Sequence, residues 1–273
     1  PNSYYAGLDP YLRSTGLTYE VSPIISADRQ TGVNTDKMYR NVTERFRWGG
    51  LDVPDNDLYL DETVRRMVVT HRSALLDLAL ELYNEGIQAR RIASMGQLSS
   101  VTPDSTGMAE YATDRFNKAL NVLKIIDEKL PAKAAPHGVQ LGEKYAQIYN
   151  LVGEALNNDE ALARSNSILR DEIDRYTQYI LYFQSLKPWQ YASLPTNDQY
   201  IYMLKYSNND YDSYYEGLIH RYINQATDAE SREMLNDIVQ RGVDVTKFPL
   251  LSRLFKDSGS DDDDSFTEVA EAV

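Results

Sequence analysis

Asp61 and Glu62 stand side by side, and Arg65, Arg66, His71 and Arg72 follow closely. A carboxylate pair can do acid–base or glycosyl-transfer chemistry. Clustered guanidinium groups can hold a phosphate or an acidic partner. On a helix the same residues make a simpler pattern. Asp61 is a good N-cap, and Glu62 lies in the first turn, where the helix dipole favours negative charge. Asp61/Arg65 and Glu62/Arg66 are spaced for i,i+4 pairing. Capping is therefore the preferred reading of the two acids, while Arg65, Arg66 and Arg72 stay candidate anion-binding residues. His71 falls on an apolar stripe and is expected to be buried and hydrogen-bonded.

Two other groups could bind a ligand. Trp48 precedes Gly49 and Gly50, so a ring able to stack on a sugar lies beside backbone that permits close approach or a tight turn. Tyrosine occurs 21 times, and 11 of these fall between Tyr176 and Tyr222. Tyrosines combine apolar area with a polar tip and suit a glycan or peptide groove. Tyr200, Tyr202, Tyr211, Tyr214 and Tyr215 are the candidates for such a groove. Tyr176/Tyr179 and Tyr211/Tyr214/Tyr215/Tyr222 also recur at helical steps, which fits core packing. Asn41-Val-Thr43 and Asp104-Ser-Thr106 resemble glycosylation acceptors.

Composition narrows the chemistry. The chain has no cysteine, and its three histidines, His71, His137 and His220, are far apart. No metal site, cofactor, thiol chemistry or disulfide is expected. A formal net charge of -13 argues against nucleic acid as a partner, since phosphate backbones need clustered Lys and Arg. The stretch from Lys256 to Val273 contains the Asp261–Asp264 block and carries -6 of that charge. It reads as an acidic disordered tail.

These residues need elements to hold them. Residues 1–60 are punctuated by Gly and Pro and read as an irregular N-terminal segment packed on a helical domain. Within it, Leu17–Val21 is strand-like and Asp36–Phe46 suits one short helix. From Asp61 the pattern turns helical. Val64, Met67, Val68, His71, Leu75, Leu78, Ala79 and Leu82 form one stripe, with Gly86 as a stop. Ile92 and Met95 could carry the helix further. A second helix carries Met108 to Leu130 and ends at Pro131. Others are expected from about Val139 to Ala155, from Asp159 to about Leu186, and near 198–206, 208–225 and 228–241. The predicted organisation is 1–60, a helical domain over 61–255, and the tail 256–273.

Ala119, Leu123, Ile126 and Pro131 match the second helix of a tetratricopeptide repeat: a small residue for close approach, two bulky ones, then a helix-ending proline. Tyr149, Gly153 and Ala161 give a looser second match. The expected fold class is all-α, with tetratricopeptide-like hairpins in an α-α superhelix behind the irregular segment.

One longer pattern is more specific. Phe46-Arg-Trp-Gly-Gly-Leu-Asp is followed by Leu58-Tyr-Leu-Asp-Glu-Thr-Val-Arg-Arg-Met and Thr70-His-Arg. This resembles the C-terminal soluble region of a family of multi-spanning membrane proteins common in Bacteroidetes. Tyr11-Leu-Arg-Ser-Thr-Gly-Leu-Thr-Tyr resembles the segment that follows that family's last membrane span, with Ser14 and Thr15 departing from it. The likeness covers roughly residues 5–185. It implies a membrane portion similar to protein O-mannosyltransferase-like glycosyltransferases, carried on spans upstream of the chain. The opening Pro-Asn-Ser-Tyr-Tyr, without a starting Met, fits that expectation. The chain would then be a non-catalytic accessory domain on the periplasmic face of the inner membrane. Its partners would be its own membrane-spanning region and an acceptor polypeptide or glycan. The alternative expectation is an independent glycan- or peptide-binding module using the Tyr-rich groove.

Overall fold

The computed structural model describes residues 7–25, 32–53, 60–96, 105–133, 135–138, 140–194, 210–249 and 251–253. The fold is all-α with a small sheet. The chain forms two compact units, Pro1–Ser165 and Asn166–Val273.

In the first unit, β1 (Leu12–Ser14) pairs antiparallel with β2 (Tyr19–Val21) and parallel with β3 (Gly32–Val33). Helix α1 (Thr35–Glu44) follows at once. Asn34 caps it by accepting the Lys37 N–H at 3.2 Å, while its amide donates to Glu20 of β2 at 2.6 Å. One residue thus starts the helix and ties it to the sheet. Met38 and Val42 bury the inner face of α1.

Among the described residues, helices α2 (Glu62–Gly96) and α3 (Ser105–Lys129) make the most extensive helix pairing. On α2 the buried positions include Val68, Arg72, Leu75, Ala79, Leu82, Gly86, Ala89 and Ala93. On α3 they include Ala112, Phe116, Ala119, Leu123 and Ile126, continued by Leu130 past its end. Both series alternate steps of four and three, the spacing that keeps one seam facing a partner helix. Ala119, Leu123 and Ile126 lie on this seam, and the helix ends at Lys129, just ahead of Pro131.

The observed stripe corrects two expectations. Gly86 does not end α2 but sits buried well inside it. A Cβ built there would lie 2.6 Å from Phe116 Cε1. The glycine clears space for the ring, a reason that lies in α3 and not in the helix that carries it. His71 is also not the buried residue; its neighbour Arg72 is. His71 is half-buried and its Nδ1 sits 2.6 Å from the Met67 carbonyl of its own helix. Val64 and Met67 are exposed because this end of α2 runs beyond the last residues of α3.

Helix α4 (Leu141–Leu156) packs on α2 and α3. Asn157 ends it at φ 50°, and the Asn158 side chain accepts the Ala161 N–H at 2.9 Å to start α5 (Asp159–Ser185). At this turn Gly153 faces Leu162, where a Cβ would come within 2.9 Å of Leu162 Cδ2.

The second unit holds the rest of α5, then α6 (Pro188–Ser193), α7 (Asp210–Gln225) and α8 (Asp228–Gln240). The start of α8 is a full capping box, with the Glu230 N–H donating to Thr227 Oγ1 at 3.3 Å and the Thr227 N–H to Glu230 Oε2 at 2.9 Å. The helix expected near 198–206 and the acidic tail lie outside the described residues. Among the described residues no helix is long and apolar enough to cross a membrane.

Candidate functional site

The polar groups of the α2–α3–α4 hairpins converge where α3 ends. Arg72 reaches this point from α2 with a side chain that has no exposed surface. Its Nε and Nη2 donate to the Leu130 carbonyl at 3.1 and 2.7 Å, Nη2 also to Pro131 O at 3.0 Å, and Nη1 to Pro136 O at 2.9 Å. The last carbonyls of a helix lack partners within it and carry the negative end of the helix dipole. A guanidinium fork answers both needs, and it fastens the loop after Pro131 to α2.

That loop forms one wall of a cavity of about 250 Å³, through Leu130, Pro131 and Ala132. Asp127, His137, Tyr145 and Arg164 complete the lining. Arg164 grips Asp127 in two places, Nε to Oδ2 at 3.0 Å and Nη2 to Oδ1 at 2.6 Å. Tyr149 donates its O–H to Asp127 Oδ2 at 2.7 Å. Tyr145 donates to the Leu123 carbonyl at 3.0 Å and meets the His137 ring edge-on, centroids 5.4 Å apart.

Burial alone would raise the Asp127 carboxyl, but hydrogen bonds from Arg164 and Tyr149 and the adjacent guanidinium charge hold it below the usual aspartate range. Burial raises both tyrosines well above the ordinary phenol value. The cavity therefore presents a self-neutralised ion pair, an imidazole edge and apolar wall. Such a lining suits a small uncharged polar group, such as an amide or a hydroxyl, better than a free ion.

The sign of the pH effect follows. A carboxyl depressed by folding stabilises the fold above its unfolded pKa, and that contribution is lost as pH falls through the folded value. Asp127→Asn should cost about 1–2 kcal/mol near neutrality, at the modest end because Arg164 is a third exposed and screened. Urea titrations of variant and parent should converge as pH falls below the ordinary aspartate range.

The residues picked from sequence are scattered. Trp48 to Leu51 make a tight turn, closed by the Leu51 N–H donating to the Trp48 carbonyl at 3.2 Å. Gly49 and Gly50 have φ of 63° and 84°, the left-handed pair this turn requires. Trp48 is half-buried against Phe46, ring centroids 5.7 Å apart. Asp52 then pairs with Lys129 at 3.1 Å, so the Gly-Gly segment serves to lay the chain against the end of α3. Asp61 Oδ1 accepts the Val64 N–H at 2.8 Å, and Glu62 pairs with Arg66, which places the acids as a cap and its neighbour. Arg65 is exposed. Arg72, a candidate for holding an external anion, is instead taken up by carbonyls.

In the second unit Tyr215 is fully buried. Its O–H donates to Thr177 Oγ1 at 2.7 Å, while Thr177 donates to Ile173 O. Its ring meets Phe248 edge-on, and burial pushes the phenol up to about 12. Tyr214 packs on Tyr176, ring centroids 5.1 Å apart. Tyr215 is thus a core residue, because α7 turns it inward; it lines no groove. Tyr200, Tyr202 and the side chain of Tyr211 lie outside the described residues.

Comparison with family models, with curated proteins and with solved structures finds no match to this chain. Sequence reading missed Asp127, His137, Tyr145 and Arg164 as a group. The signal open to it was slight: Asp127 is a charge beside the buried Ile126, and Tyr145 and Tyr149 place two hydroxyls at helical spacing on a buried face. Among the described residues no cluster of three or more His, Asp or Glu could hold a metal ion.

Proposed function

We propose that this chain is a non-catalytic interaction domain built of tetratricopeptide-like hairpins, the accessory part of a membrane-attached, glycosyltransferase-like protein. The observation that carries the hairpin reading is the repeated use of a glycine at close approach. Gly86 of α2 faces Phe116 of α3, and Gly153 of α4 faces Leu162 of α5. Such small residues let the side chains of a facing helix pack close, and stacked hairpins present faces on which a polypeptide can lie. The cavity lined by Asp127, His137 and Arg164 offers one place for a polar side chain of such a partner.

The membrane-attached part of the proposal rests on the motif from Phe46 to Arg72. It is tested by reading the open reading frame upstream of Pro1 and by protease treatment of spheroplasts expressing the whole protein. Several membrane spans upstream, with the domain cleaved from outside, are expected. A frame without spans, or a domain protected from external protease, would sink the accessory-domain reading. The glycan-binding alternative has less support, since Tyr215 is core.

A further inference from the structure

The first turn of α1 sits on a second polar cluster, away from the cavity. The Thr35 hydroxyl donates to Glu85 Oε1 of α2 at 2.8 Å. Asp36 Oδ1 accepts from Arg115 Nη1 of α3 at 2.6 Å. Arg115 Nε lies 3.3 Å from Glu85 Oε2, close enough for an ion pair but not aligned as a hydrogen bond. The guanidinium is almost wholly buried, with the Tyr111 ring 4.5 Å beneath it. Two carboxylates thus share one cation, and the second is poorly matched.

We infer that this cluster is a proton-sensitive clasp: one proton taken up by Glu85 tightens the docking of α1 on the α2–α3 hairpin, and its loss loosens it. The charges facing Glu85 are Arg115 from α3, Asp36 from α1 and Glu81 from its own helix. Lys118 and Arg40 act on Asp36. With both carboxyls ionised the cluster holds an excess negative charge in a half-buried place. A protonated Glu85 removes that excess and leaves Arg115 to Asp36. The Thr35 bond survives, because the carbonyl oxygen of a neutral carboxyl still accepts.

Burial raises the Glu85 carboxyl despite Thr35 and Arg115, whereas Arg115 lowers Asp36. A carboxyl raised by folding adds stability as pH falls through its folded value toward its unfolded one. Asp36 works in the opposite sense, but only below the ordinary carboxylate range. The tightening therefore falls above the ordinary glutamate range. This inference concerns the first unit alone and does not depend on the function proposed above.

The test is amide hydrogen exchange of residues 35–44 in the full chain, corrected for intrinsic rates, followed from about pH 7.5 down to about pH 4.5, the ordinary glutamate value. Protection of α1 is expected to rise on acidification, by up to about tenfold per unit separating the folded and unfolded values. Glu85→Gln should hold α1 at the acid level at every pH. Asp36→Asn gives Glu85 sole use of Arg115, so the rise should move to lower pH. Protection that does not change with pH in the parent, or that changes equally in Glu85→Gln, would overturn the clasp. A step left in place by Asp36→Asn would also overturn it.

Discussion

Arg72→Met is expected to be the most damaging single substitution in the first unit, at about 3–5 kcal/mol. The methionine fills similar apolar volume, so the loss is not mainly a cavity. The loss falls on the carbonyls of Leu130, Pro131 and Pro136, which all accept from this one guanidinium. Each buried carbonyl left without a donor costs about 1–3 kcal/mol, and a charged donor contributes more than a neutral one. Arg72→Lys should not rescue. An ammonium is a point donor and cannot span three carbonyls as a planar fork does. Guanidinium chloride titration of the full chain measures the effect. A loss below about 1 kcal/mol in both variants would mean that the loop after Pro131 finds other donors.

Gly86→Ala should reverse the usual sign of that substitution. In an exposed helix interior, Gly to Ala stabilises by about 1 kcal/mol, because alanine restricts the unfolded chain and favours the helix. Here the new methyl would meet Cε1, Cδ1 and Cζ of Phe116, the nearest at 2.6 Å. The ring cannot simply swing away. It is fully buried, Tyr83 packs on it with centroids 5.7 Å apart, and the Arg90 guanidinium lies 4.5 Å over its face. Overpacking of this kind costs about 1–3 kcal/mol, and that exceeds the propensity gain. Combining Gly86→Ala with Phe116→Leu should recover part of the loss, and thermal unfolding of the single and double variants reads the coupling. A more stable Gly86→Ala would show that the seam has slack.

Most helix boundaries were legible because their causes are local. Pro131 closes α3, the Asn157-Asn158 turn separates α4 from α5, and Thr227 to Glu230 spell out a capping box. What sequence hid has its cause across the fold. Gly86 looked like a stop, since a helix read by itself gives no reason for a glycine; the reason is Phe116. Arg72 read as a candidate for holding an anion, since its true acceptors lie 58 to 64 residues away. The apolar stripe was placed through His71 for the same reason: counting hydrophobicity skips a buried arginine. The site suffered most. Asp127 and Arg164 are 37 residues apart and carry no shared motif, so only the packing of α5 against α3 and α4 brings them together. Tyr214 and Tyr215 show the reverse, where two of the clustered tyrosines are taken up in packing.

The four-and-three spacing along α2 and α3 has a consequence for register. Such a seam nearly repeats after seven residues, so two smooth apolar faces could also pair one repeat out of place, about 10.5 Å along the axis. Arg72 forbids it. Moved by one repeat, its charge would lose the end of α3 and face apolar side chains, with no carbonyl left over to receive it. One cation among leucines and alanines thus acts as the key that indexes the long hairpin to a single alignment. Every group that depends on that alignment, from the ring under Gly86 to the cavity beyond Leu130, inherits its position from it.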